Sequence, residues 1–190
     1  MTTLAAICAR MGSTRFPGKM LAPIAGMPLV WHVVKRALAM KTVDRVVLAT
    51  PHVWDGPEDD VVGRLQHLAR IYDADIIVRI CGDSPLWDVG EADYLVEVLR
   101  EWDPLLGTEY VDYYIEHPSN FCGVDVMTRA CLDRMPPGEH VKPHPLTAKR
   151  GQVTPGDASA IDDWDEWERL SIDTPEDLER LRGRIEDGTR

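Results

Sequence analysis

An α/β fold on a mainly parallel sheet is what the sequence predicts, and three observations carry that reading. Short, nearly continuous apolar runs alternate with stretches of helical period, and the runs end in loops bearing Gly and Asp. The composition, 44% apolar and 28% charged over 190 residues, is that of a globular chain. A domain of about 150 residues already buries roughly 70% of its unfolded surface, so residues 1–190 read as one domain.

The elements follow in order. Leu4-Ala5-Ala6-Ile7-Cys8-Ala9 has no polar alternation, as expected of a central strand buried on both faces. From Pro28 to Met40 the residues Leu29, Val30, Val33, Val34, Ala37 and Leu38 recur at helical spacing, with Pro28 at the start where a missing N–H costs nothing. Val46-Val47-Leu48-Ala49 is the next strand, and the βαβ succession implies parallel pairing by a right-handed crossover. Val61, Val62, Leu65, Leu68, Ala69 and Tyr72 mark a second helix, and Asp75 to Ile80 a third strand that ends in Gly82-Asp83-Ser84-Pro85. A helix over about 90–102 and a strand over Tyr110–Tyr114 come next. Residues 110–168 read as a loop-rich region, richest in Gly, Pro and charge from Pro136 to Asp163, with room for one hairpin or a dimer contact. Leu170-Ser171-Ile172-Asp173 reads as a last strand, and Thr174-Pro175 as the cap and first position of a helix with Leu178, Leu181 and Ile185 on its buried side.

Charge and cysteine usage exclude several classes. A net charge of −11 repels nucleic acid and anionic membrane, so any polyanionic ligand must be held by local cations. Cys8, Cys81, Cys122 and Cys131 form no C-x-x-C pair or zinc-type grouping; Cys8 and Cys81 lie in apolar runs and read as small core hydrophobes. No apolar run approaches the roughly 18 residues of a membrane span, and Met1-Thr2-Thr3 lacks the basic start of a signal peptide. A cytoplasmic location is the expectation.

The chemistry concentrates after the first strand, in Arg10-Met11-Gly12-Ser13-Thr14-Arg15-Phe16-Pro17-Gly18-Lys19. A loop there sits at the carboxyl edge of the sheet, where open α/β folds bind ligands. Gly12 and Gly18 let backbone N–H groups approach phosphate oxygens, while Arg10, Arg15 and Lys19 supply charge-assisted donors. The Walker A loop is the competing pattern, but five residues rather than four separate Gly12 from Gly18, Met20 follows Lys19 instead of Ser or Thr, and Pro17 removes an N–H. Asp83 and Asp173 each follow an expected strand; two carboxylates at one edge would suit Mg²⁺, which takes one or two protein carboxylates plus phosphate oxygens and water.

Four ordered blocks resemble one family. They are Ala9 to Lys19, Glu58-Asp59-Asp60-Val61-Val62-Gly63-Arg64, Ile77 to Leu86, and Ile172-Asp173-Thr174-Pro175-Glu176-Asp177-Leu178. The sequence resembles the cytidylyltransferases that activate acidic sugars, especially the spore-coat polysaccharide group, with the 3-deoxy-manno-octulosonate and acylneuraminate cytidylyltransferases as relatives. The resemblance implies a three-layer Rossmann-like nucleotidyltransferase fold of the nucleotide-diphospho-sugar transferase type, CTP as donor, Mg²⁺, an acidic sugar acceptor, release of pyrophosphate, and a homodimer as an unsurprising assembly. It further implies that Ala9, Arg10, Met11, Gly12, Ser13, Arg15, Lys19, Arg79 and Gly82 surround the nucleotide, with Arg10 and Lys19 catalytic and Lys19 stabilising the leaving pyrophosphate. Asp83 and Asp173 would hold the metal, and Asp125, Glu139 and His140 would lie on the acceptor side. The sequence departs from the family where only His52 to Pro57 separate Pro51 from Glu58 in place of a helix and short strand, between Tyr114 and Asn120, and at Met127, where a Glu often stands.

Two other classes compete. A glycosyltransferase on the same architecture would use Asp73-Ala74-Asp75 as a D-x-D metal motif, although this precedes a strand instead of following one. A degenerate nucleotide-binding or interaction protein would keep the loop and lose turnover.

Overall fold

The computed structural model describes residues 1–106, 110–112, 123–138 and 170–187. Its centre is a sheet of β1 (Thr3–Cys8), β4 (Arg45–Ala49), β5 (Ile76–Cys81), β6 (Tyr110–Asp112) and β7 (Val124–Thr128), in the order β4-β1-β5-β7-β6. β1 pairs in parallel with β4 and β5, and β7 runs antiparallel to both β5 and β6. The first three strands are the ones expected; β1 and β5 are mostly buried, as their apolar runs suggest, whereas β4 ends the strand order and is only partly buried. β7 was not among the expected strands. Asp125 interrupts its apolar run, and the group that makes a buried carboxylate tolerable there, Arg79, lies in another strand at the facing register position.

Helices cover both faces. α1 (Leu29–Ala37) and α3 (Val89–Leu106) accompany one face, where Val33, Ala37, Leu95, Val96 and Leu99 pack with Ala5, Ile7, Ile76, Val78 and Ile80. α2 (Val61–Ile71) and α4 (Arg129–Asp133) accompany the other, where Val62, Leu65, Leu68 and Leu132 pack with Leu4, Ala6, Ile77 and Met127. Alternate residues of each central strand therefore serve opposite cores, as the two-residue period of a strand requires. The result is the expected three-layer α/β architecture. α1 is shorter than the span from Pro28 to Met40, and α3 extends four residues past Trp102.

Where the link from β4 to α2 is short, a turn of 3₁₀ helix over Pro51–Val53 bridges it and Trp54 packs against Gly63 of α2. Asp60 caps α2, accepting from the Gly63 N–H at 2.9 Å. The Asp73-Ala74-Asp75 motif lies at the start of β5, the edge opposite to that of the Arg10–Lys19 loop; Asp75 accepts from the N–H of Thr2 at 2.6 Å and Asp73 pairs with Arg129.

Residues 170–173 are not a strand. Leu170 and Ile172 are both buried, at 4% and 0% exposure, which produces the alternation of a strand pattern, but they pack with Ile24, Leu29, Leu86, Leu178, Leu181 and Ile185 in a third core. That core joins α5 (Pro175–Glu186) to the small hairpin of β2 (Pro23–Ile24) and β3 (Met27–Pro28). A backbone bond from Ile172 N–H to the Asp83 carbonyl, 2.8 Å, stitches this segment to the end of β5.

Candidate active site

The carboxyl ends of β1 and β5 open into a cavity of about 460 Å³. The loop after β1 forms one wall: Ala9, Arg10, Gly12, Ser13, Arg15 and Lys19 line it. Gly18 takes a left-handed φ of 72°, which turns the chain into a short 3₁₀ helix over Lys19–Leu21 and buries Lys19. Ser13 Oγ accepts from the Phe16 N–H at 3.3 Å, bracing the loop between the two glycines. Met11 is half exposed and does not line the cavity. Gly82 does not line it either; it lies where a Cβ would come within 2.7 Å of the Cys8 carbonyl, so its role is the close approach of β5's end to β1.

Opposite this wall stand Asp83 and Asp173, brought together by different means. Asp83 follows β5 directly. Asp173 is held by α5: its N–H donates to Asp177 at 3.0 Å, and Thr174 and Asp177 form a reciprocal capping box at the helix start. Burial works to raise the Asp177 carboxyl, but donation from the Asp173 N–H, the Arg180 guanidinium and Thr174 outweighs it and holds Asp177 below the usual carboxylate range.

The Lys19 ammonium sits between the two aspartates. It donates to Asp83 Oδ2 at 2.6 Å, Asp173 Oδ1 at 3.2 Å and the Ile172 carbonyl at 3.0 Å, and its side chain is only 7% exposed. Arg15 reaches Asp173 Oδ1 at 3.0 Å from a side chain that is 61% exposed. Lys19, expected at phosphate, bonds to the two aspartates expected at a metal. The donor set still fits Mg²⁺. Among the described residues no cluster of three or more His, Cys, Asp or Glu could hold an ion by itself, whereas two carboxylates around a point already filled by a cation suit an ion completed by phosphate oxygens and water.

The cavity floor was missed by sequence reasoning. Cys8 and Cys81, expected as core residues, are the last residues of β1 and β5, occupy one register position, and line the cavity half-buried. Burial pushes the Cys81 thiol up to about 12 and raises Cys8 as well, with the Arg79 charge acting against burial in both cases. Arg79 lines the floor, and its Nη1 donates to Asp125 Oδ2 at 2.8 Å. Asp125, expected on the acceptor side, is 2% exposed and spends its carboxylate on Arg79 within the sheet. Arg64 is 1% exposed and donates to Ala49 O and Glu58 O, tying β4 and the α2 approach to the cavity wall. A lone arginine in a helical pattern carries no sign of that burial. Glu139, His140, Cys122 and the segment between Tyr114 and Asn120 lie outside the described residues.

A cationic loop faces two carboxylates at the carboxyl edge of the sheet, and solved structures share the three-layer architecture. A cytidylyltransferase from Leptospira borgpetersenii matches over 97% of this chain and 87% of its own length at a TM-score of 0.71 and 24% identity. A CMP:2-keto-3-deoxy-manno-octonic acid synthetase complexed with CTP matches over 99% and 100% of the two chains at 0.64 and 20% identity. The family model for cytidylyltransferases matches residues 4–182, so the chain belongs to the cytidylyltransferase family. Similar curated proteins include 3-deoxy-manno-octulosonate cytidylyltransferases from Trichlorobacter lovleyi, 39% identical over 51% of this chain and 44% of that protein, and from Maricaulis maris, 40% identical over 56% and 47%. The chain thus spans about half the length of the curated relatives it matches. Among the described residues no helix is long and apolar enough to cross a membrane.

Proposed function

We propose that this protein transfers CMP from CTP to a hydroxyl of an acidic sugar and releases pyrophosphate, supplying an activated precursor for surface polysaccharide or glycoconjugate synthesis in the cytoplasm. The observation that carries the reading is that Arg10, Arg15 and Lys19 line the same cavity as Asp83 and Asp173. A triphosphate with about four negative charges needs several fixed cations, and this protein, at a net charge of −11, places three on one ten-residue loop.

In the reaction the acceptor oxygen forms a bond to the α-phosphorus as the bond to the α,β-bridging oxygen breaks; the hydroxyl proton passes to solvent and the bridging oxygen leaves with pyrophosphate. Arg10, Gly12, Ser13 and Arg15 bind and orient the triphosphate, and Lys19 meets charge developing on the leaving group. Asp83 and Asp173 would hold Mg²⁺, which when bound supplies a Lewis acid that offsets charge at the α-phosphate. Arg79, its charge balanced by Asp125, offers hydrogen bonds to the nucleoside from the floor without adding net charge.

Purified protein mixed with CTP, Mg²⁺ and a panel of acidic sugars should release pyrophosphate and form a CMP-sugar. No pyrophosphate with any acceptor while CTP still binds would instead establish the degenerate nucleotide-binding reading. Transfer of sugar without pyrophosphate would establish a glycosyltransferase.

A further inference from the structure

The geometry points to Lys19 as a resident counter-ion of the Asp83–Asp173 site that must be displaced for a divalent cation to enter, so that metal and nucleotide binding are coupled through one ammonium group. The inference rests on the reading of these aspartates as metal ligands, not on the identity of base or acceptor.

Three facts carry it. First, all three Lys19 N–H donors are engaged, on Asp83, Asp173 and the Ile172 carbonyl, in a nearly buried position. An ammonium so satisfied has no donor left for phosphate. Secondly, the point it fills is the one where both carboxylates converge, so a divalent cation using both competes with it directly. Thirdly, these four described side chains carry balanced charge, Lys19 and Arg15 against Asp83 and Asp173. A divalent cation added to that neutral set would strand the displaced ammonium without a partner in a low-dielectric corner, which is costly.

A triphosphate removes that cost. When phosphate oxygens arrive, Lys19 and Arg15 transfer from carboxylate to phosphate while the divalent cation takes the carboxylates, and every charge keeps a partner. The exchange needs no backbone movement beyond the Arg10–Lys19 loop, because Asp83 and Asp173 are held independently by the Ile172 bond and the α5 cap. Each ligand therefore improves the site for the other, and by linkage the effect is equal in both directions. The metal-free enzyme is also kept from presenting Lys19 to phosphates before a metal is in place.

Mn²⁺ binding followed by electron paramagnetic resonance tests this without any acceptor or turnover. Wild-type protein should bind Mn²⁺ weakly alone and about tenfold or more tightly with a non-transferable CTP analogue, within the range usual for coupled sites. Lys19→Met, checked for folding by circular dichroism, should bind Mn²⁺ alone about tenfold more tightly than wild type and lose most of the nucleotide effect. A second measurement uses the wild-type chain: reductive methylation of Lys19, read by mass spectrometry, should be slow in metal-free protein, fast with saturating Mg²⁺ alone, and slow again with Mg²⁺ and the analogue. Equal Mn²⁺ affinity in wild type and a folded Lys19→Met, or Lys19 labelling indifferent to Mg²⁺, overturns the proposal. Inactivity toward CTP and sugars would overturn the proposed reaction while leaving the metal-only arms interpretable.

Discussion

Replacing Asp177 with alanine removes the group that ties the Asp173 edge of the cavity to the last helix. Asp177 Oδ2 accepts from Asp173 N–H at 3.0 Å, Thr174 N–H at 2.9 Å and Thr174 Oγ1 at 3.1 Å, and Oδ1 accepts from Arg180 at 3.2 Å. Loss of such a capping interaction costs about 0.5–2 kcal/mol, and loss of a negative charge in a helix's first turn about 0.3–1 kcal/mol more. The sum, about 1–3 kcal/mol, should lower the melting temperature by roughly 2–4 °C per kcal/mol for a domain of this size. Because the Asp173 N–H loses its acceptor, hydrogen exchange at residues 173–178 should accelerate before the sheet is affected. The pH dependence has a definite sign. The Asp177 carboxyl is held below its unfolded value of about 3.9, so its stabilisation is present above that pH and is lost as pH falls through the folded value. The stability gap between wild type and Asp177→Asn should therefore narrow below about pH 4. Urea unfolding at several pH values measures this. A difference for Asp177→Ala within about 0.5 kcal/mol of zero, the range of an ordinary surface change, would refute the claim that the cap fixes Asp173.

Other expectations follow from the cavity floor. Removing one partner of the buried Arg79–Asp125 pair, as in Asp125→Leu, should destabilise by about 3–5 kcal/mol, while Arg79→Met with Asp125→Leu should recover much of it in a double-mutant cycle. Gly123→Ala should lower stability and perturb nucleotide binding, since Gly123 has φ +62° and an added Cβ would lie 2.6 Å from Cys81 Sγ; unchanged melting would count against that packing. Because burial raises the Cys81 thiol to about 12 and raises Cys8, these groups contribute stability that is complete below the ordinary thiol value of about 8.5 and is lost as pH rises toward 12. Cys8 and Cys81 should therefore react slowly with iodoacetamide at neutral pH, as read by peptide mass spectrometry, and replacing both with alanine should flatten the alkaline limb of the stability profile. Gly82→Ala should weaken CTP binding more than Gly138→Ala, as the first meets the Cys8 carbonyl and the second meets nothing.

Local pattern determined a large part of this protein. The runs at Leu4–Ala9, Val46–Ala49 and Asp75–Ile80 found β1, β4 and β5, because consecutive apolar residues dominate each stretch even where Arg79 breaks the third. Thr174-Pro175 marked the start of α5, since capping chemistry is confined to a few consecutive residues. The cations of the Arg10–Lys19 loop were legible for the same reason: they lie on one short segment after a recognisable strand.

What depended on distant partners was not legible. β7 was hidden by Asp125, whose partner Arg79 stands on a neighbouring strand, and Leu170–Asp173 imitated a strand because its alternating burial serves the α5 core instead of a ladder. Cys8 and Cys81 looked like core residues until the end of the sheet exposed them to a cavity, and nothing in the local pattern marked Arg64 for the burial that α2 gives it. Above all, the sequence by itself named Lys19, Asp83 and Asp173 as chemically important, but only the tertiary structure decided that they bond to one another. Charge and local spacing are written along the chain; which charges neutralise which is set by packing, and α5 is what carries Asp173 across to the end of β5.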